Sequence, residues 1–178
     1  MNKLTISYDE ARGLIKSGDV LSFELKTTGA FFIRLGQKIA KLSDYKTTHS
    51  AIAWWLGGRL YVLEMDGKYN VLRPFSQYQG LSIHVSRPST ETEMVKYYEE
   101  FTAKAIYYSA KEIIRIGLRL ITGNKAFDVD DKSEEVCSTW VNDWLNCVNV
   151  GITDLKLPAP AELQAHLLPY YQFSVSWR

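Results

Sequence analysis

Cys137 stands in residues 134–145 (EEVCSTWVNDWL), where a polar stretch rich in Asp, Lys and Ser gives way to an amphipathic helical pattern. In the first turn of a helix, unpaired backbone N–H groups and the positive end of the dipole favour thiolate over thiol. That makes such a sulfur a nucleophile. Ser133 is the expected N-cap. A buried structural cysteine is the commoner use of the residue, so a nucleophilic Cys137 requires a base elsewhere in the chain.

Residues 48–64 (THSAIAWWLGGRLYVLE) supply one: two strand-like runs flank Gly57-Gly58, a two-residue hairpin signal. With the glycines as the turn, Leu56 faces Arg59, Ala53 faces Val62, Ala51 faces Glu64 and His49 faces Asp66. Alternation then puts His49, Ala51, Ala53, Val62 and Glu64 on one face. His49 and Glu64 become diagonal neighbours with Cα atoms about 7–8 Å apart, within reach of a side-chain hydrogen bond. Small Ala51 and Ala53 leave space there, which a helix carrying Cys137 could occupy. The three side chains have the logic of a thiol triad: Cys137 attacks, His49 takes and returns the proton, and Glu64 fixes the imidazole tautomer.

At these residues the chain resembles the circularly permuted papain-fold cysteine hydrolases, the NlpC-type branch in which the histidine strand precedes the cysteine helix. Residues 18–23 (GDVLSF) are similar to that family's opening Gly-Asp strand, 48–52 (THSAI) to its histidine strand, 61–65 (YVLEM) to its acidic strand and 136–141 (VCSTWV) to its cysteine helix. Residues 158–163 (PAPAEL) also fit, and the landmarks together span most of 18–165. The resemblance implies an α+β fold, an antiparallel sheet of about five strands packed against helices. It implies a cysteine peptidase or amidase that cleaves an amide bond through a thioester acyl-enzyme, with peptidoglycan-type peptides as the usual substrate. Relatives of the lecithin retinol acyltransferase type imply an alternative, acyl transfer or thioester hydrolysis on lipids with the same triad. A catalytically silent binding module of this fold is the third alternative. Many relatives carry an aromatic residue near the cysteine and an acidic residue two after it, where Val136 and Thr139 stand here, so the oxyanion partner beyond the Cys137 N–H is unassigned.

The elements that must position these groups follow from the rest of the chain. With 178 residues, 46% of them hydrophobic, it can bury a full core and is expected to form one domain over 1–178, with an insert helix at about 109–123. Lys and Arg total 21 against 20 Asp and Glu, which argues against a nucleic-acid partner. No stretch approaches 18 uncharged residues and the first ten carry no apolar h-region. A cytoplasmic protein, or a phage-encoded one released by lysis, is therefore expected. If 137–148 is one helix, Cys137 and Cys147 lie about 15 Å apart, beyond the roughly 7 Å that a disulfide spans. Cys147 is read as a small apolar core residue.

Ser7 and Glu10 form a capping-box pattern at the head of a helix over 7–17, and a strand over 19–25 follows. Phe31, Phe32, Leu35, Ile39 and Leu42 then recur at helical spacing, with Arg34, Lys38 and Lys41 on the other side as a solvated face or an edge that attracts anionic groups. Strands are expected at 69–75 and 81–87, with His84 exposed, and an amphipathic helix over 90–106 with Met94, Tyr97, Tyr98, Phe101 and Ala105 inward. The 109–121 helix ends at Gly123, and its apolar side is core, lid or membrane-facing, with core the first expectation. Asp128, Asp130 and Asp131 lack the glycine and distal glutamate of a calcium loop, and no zinc spacing exists, so neither metal nor cofactor is assigned. His166 is expected at the surface near the end of a helix over 160–168. The expected partner is a peptide or acyl substrate, with peripheral membrane contact open and oligomeric state unassigned.

Overall fold

The computed structural model of the chain describes residues 3–66, 69–88, 107–108, 110–128 and 134–177. Gly57 and Gly58 have φ of +56° and +75°, the left-handed region that a two-residue hairpin turn demands. They join β3 (His49–Leu56) to β4 (Arg59–Asp66) with Leu56 opposite Arg59 and Ala53 opposite Val62, the register expected from the sequence. Around this hairpin the strands β1 (Lys3–Ile6), β2 (Val20–Phe23), β5 (Tyr69–Pro74), β6 (Ile83–Ser86) and β9 (Tyr171–Trp177) complete an open sheet in the order β1-β9-β6-β2-β3-β4-β5. From β9 to β5 the six strands are antiparallel, and β1 joins β9 in parallel at the edge. The α+β class is as expected, but the sheet is wider than about five strands. Two-residue strands β7 (Tyr107–Tyr108) and β8 (Glu134–Glu135) pair separately.

Five helices are described: α1 (Tyr8–Leu14), α2 (Thr28–Ile39), α3 (Ala110–Thr122), α4 (Cys137–Cys147) and α5 (Pro160–His166). Ser7 and Glu10 cap α1 reciprocally, as their spacing predicts, with Ser7 N–H donating to Glu10 Oε2 at 2.7 Å and Glu10 N–H to Ser7 Oγ at 3.3 Å. Thr27 Oγ1 accepts from Ala30 N–H to start α2. Gly123, φ +69°, ends α3 as expected. The helix expected over 90–106 lies outside the described residues.

The two faces of the sheet have separate cores. Trp140, Val141, Trp144 and Leu145 of α4 pack with Val20, Ile52, Trp54, Leu63 and Met65. Ala51, Ala53 and Val62 look the other way and are covered by Ala11 of α1 and by Ile15 at its C-cap. The cysteine helix therefore does not fill the space over the two alanines, as alternation suggested; it lies on the opposite face, where large side chains bury more apolar area than two methyl groups offer.

Two further expectations change. His84 is half-buried instead of exposed: β9 runs beside β6, so Ser174 Oγ lies 2.7 Å from His84 Nδ1 and Glu24 Oε1 is 3.7 Å from Nε2. Phe31, Phe32, Leu35 and Ile39 of α2 are exposed, as are Ile114, Leu118 and Ile121 of α3. For α3 the apolar side is divided, since Ile116 is buried and Ile113 and Leu120 pack on Val136, Leu157 and Ala159. His166 is at the surface as expected, with Nε2 2.6 Å from Val150 O.

Candidate active site

Three elements converge where β3 begins. His49 is the first residue of β3 and pairs with Phe23, the last of β2. Glu64 comes from β4, and Cys137 is the first residue of α4. All three are buried: 8% of His49, 3% of Glu64 and 3% of Cys137 is exposed. His49 Nε2 lies 2.5 Å from Glu64 Oε2. The Cys137 side chain also acts on the ring, favouring its charged form. Although α4 lies on the far face from Ala51, Cys137 is the first residue of that helix and His49 the first of β3, so both stand at the ends of their elements. Cys137 and Cys147 do not form a disulfide, as expected, and Cys147 is half-buried against the α4 core.

The N-terminus of α4 is built without a conventional cap. Ser133 lies outside the described residues, and Val136 occupies the N-cap position. Thr139 Oγ1 instead accepts from Val136 N–H at 2.9 Å and contacts Val136 O at 2.9 Å. Ser138 Oγ donates to Pro158 O at 2.7 Å, pinning the first turn to the segment before α5. Thr139, where an acidic residue was expected from the resemblance, thus has a capping task.

Burial opposes charge on His49, but the Cys137 sulfur and the Glu64 carboxylate more than offset it, and the imidazole pKa is raised from 6.5 to about 10. Glu64 shows the mirror case: burial would raise its pKa, yet the His49 bond and charge, the Tyr78 hydroxyl and Arg73 together hold it below the ordinary carboxylate value. Tyr78 O–H donates to Glu64 Oε1 at 2.5 Å, and Arg73 Nε lies 3.4 Å from the same oxygen. The Phe23 ring lies tilted against both, its centroid 5.8 Å from that of His49 and 4.8 Å from that of Tyr78. Sequence reasoning named Cys137, His49 and Glu64, and missed Tyr78 and Arg73. Tyr78 lies in a 3-10 turn (Phe75–Tyr78) with no periodicity to mark its direction.

Two cavities meet at the pair. One, about 370 Å³, lies between α2 and α3 over Cys137 and is lined almost wholly by apolar groups, among them Phe32, Leu35, Ile39, Ile114 and Ile121. The other, about 420 Å³, borders His49 and Glu64 and is mixed in character, with Thr27, Arg73, Gln77 and Tyr78. Ile33 and Ile113 line both, so they form a partition between the sulfur's side and the imidazole's side.

No family model matches the chain, and no curated protein matches it. Among solved structures it is similar to the crystal structure of metalloprotein yiiX, DUF1105, from Escherichia coli O157:H7, with a TM-score of 0.52 at 15% identity over 90% of this chain and 88% of that one. At that identity the likeness is one of fold. Among the described residues no group of three or more His, Cys, Asp or Glu side chains is placed to hold a metal ion.

Proposed function

We propose that the protein is a cysteine hydrolase working through a thioester acyl-enzyme, on a circularly permuted papain-like scaffold. The observation that carries it is the buried His49 bonded to Glu64, with the Cys137 side chain raising the pKa of the same imidazole. Cys137 Sγ attacks the substrate carbonyl carbon, and the His49 imidazolium gives its proton to the departing amine, alcohol or thiol. Water then attacks the thioester carbonyl while His49 takes a proton from it, and the C–S bond breaks to release the acid and restore the Cys137 thiolate beside the His49 imidazolium. The Cys137 backbone N–H, in the first turn of α4, is the available donor to the tetrahedral oxyanion.

The family resemblance points to a peptidoglycan-type amide as substrate. A specific observation favours the alternative, an apolar acyl group on an ester or thioester: the space above the sulfur is lined by aliphatic and aromatic groups, which desolvate a polar peptide without offering hydrogen bonds. The polar leaving group would face Arg73 and Gln77 beyond the Ile33–Ile113 partition.

The test compares muropeptides with acyl esters and thioesters of increasing chain length, with intact-protein mass spectrometry to trap the acyl group on Cys137. Turnover that rises with chain length supports the apolar-acyl reading, and turnover confined to muropeptides supports the peptide one. Cys137→Ala should abolish turnover and His49→Ala should reduce it by on the order of 10²–10⁴, with Glu64→Gln milder than either. Full activity in Cys137→Ala, or no adduct with any of these substrates, overturns the hydrolase.

A further inference from the structure

Helices α2 and α3 pack against each other and turn large apolar side chains outward. Phe31 is 53% exposed, Phe32 63%, Ile39 52%, Ile114 63% and Ile121 56%. Isolated exposed apolar groups are ordinary, but a crest of them on two adjacent helices is a docking surface. The attitude of α3 is fixed: Arg119 on its inner side is ion-paired with Glu162 of α5 and donates to Leu157 O at 3.0 Å. The outward groups cannot turn in without breaking that buried pair.

The charge on the two helices is one-sided. Between them α2 and α3 carry Arg34, Lys38, Lys111, Arg115 and the inward Arg119, whereas their one acid, Glu112, is fully buried. In a chain of net charge +1 this concentrates cations beside the apolar crest. A second copy meeting this face would set cations against cations, since a two-fold contact places the same patch on both sides. The match is to an anionic, apolar-cored surface.

We infer that the α2–α3 crest docks the protein on an anionic lipid bilayer, with Phe31, Phe32, Ile114 and Leu118 entering the acyl boundary and Arg34 and Lys38 meeting head groups. Docked in this way, the mouth of the cavity over Cys137 opens toward the lipid phase. The inference concerns where the protein sits and holds whether or not the hydrolase reading does, because binding can be measured without turnover.

The experiment is co-sedimentation of the full chain, and of Cys137→Ala, with vesicles of phosphatidylcholine alone or mixed with phosphatidylserine, at low and high salt. Both proteins should pellet with the anionic vesicles, weakly with neutral ones, and less as salt rises. Each of Arg34→Glu and Lys38→Glu should weaken binding about fivefold or more. Phe31→Ser with Leu118→Ser should abolish it while the melting temperature and Cys137 alkylation rate stay unchanged. Absence of pelleting, pelleting indifferent to lipid charge and to both charge reversals, or a dimer in solution that Phe31→Ser with Leu118→Ser dissociates would each overturn the assignment.

Discussion

His49 lies under two opposed influences, burial against its charge and two acidic partners in favour, and the partners prevail. A group whose folded pKa is raised stabilises the fold fully below its unfolded pKa, about 6.5 for histidine, and loses that contribution as pH climbs to the folded value of about 10. Removing Cys137 leaves burial opposed by Glu64 alone. In Cys137→Ala the His49 ring should therefore titrate at clearly lower pH, read from its Cε1 proton by NMR, and the alkaline fall in melting temperature should be smaller and complete at lower pH. An unmoved midpoint would mean that the thiol and imidazole are not coupled. Glu64 has the opposite sign: its depressed pKa contributes stability above the ordinary carboxylate value, lost as pH falls through the lowered one. Tyr78 is a positioning residue for that carboxylate. Tyr78→Phe removes a hydrogen bond to a charged group, of about 1.5–3 kcal/mol, so kcat should fall with KM nearly unchanged and the acid limb of the rate profile should move to higher pH. A structural role alone would lower stability and leave that limb in place.

The hairpin and the cysteine helix were legible because their signals are local. Gly57-Gly58 fixes which residues of β3 and β4 face each other, and that alone brings Glu64 to His49. At Gly58 an added Cβ would meet nothing within 4 Å, so Gly58→Ala tests the backbone and not packing. With φ at +75° the cost should be about 1 kcal/mol, seen as a lower urea midpoint with unchanged slope. Activity of the folded fraction should persist, because the buried faces of β3 still specify register; a loss of activity well beyond the loss of stability would show a slipped hairpin. Sequence reasoning failed where partners are distant. β9 and β1 carry no turn signal between them, and they define the sheet edge that half-buries His84. Likewise, the spacing of Phe31, Phe32, Leu35 and Ile39 showed a helix with an apolar side, but periodicity cannot say whether that side faces protein or solvent.

At the scale of the whole molecule, one buried joint ties the strands that carry the site to the rest. Gly18, φ +87°, turns the chain so that its N–H reaches Ala53 O at 2.9 Å and Ala53 N–H returns to Asp19 O at 2.8 Å, locking β2 to β3. Asp19 is fully buried, with its carboxylate gripped by Arg87, just after β6, through Nε at 2.7 Å and Nη2 at 2.8 Å. Arg87 also donates to Leu14 O of α1, and its backbone N–H to Tyr170 O just before β9. The Gly-Asp landmark visible in the sequence thus has a structural reason, while its partner 68 residues away gave no sign. Arg87→Ala would leave a buried carboxylate without its cation, at a cost of about 3–5 kcal/mol, toward the lower end because Arg87 keeps partial contact with solvent. Replacing both partners, Asp19→Asn with Arg87→Leu, removes the stranded charge and should recover a good part of that loss. Urea denaturation of the single and double variants measures the difference. Since Arg87 touches none of Cys137, His49 and Glu64, the folded fraction of Arg87→Ala should alkylate Cys137 at the native rate; a slowed rate would show that this joint also sets where β3 delivers His49 to the sulfur.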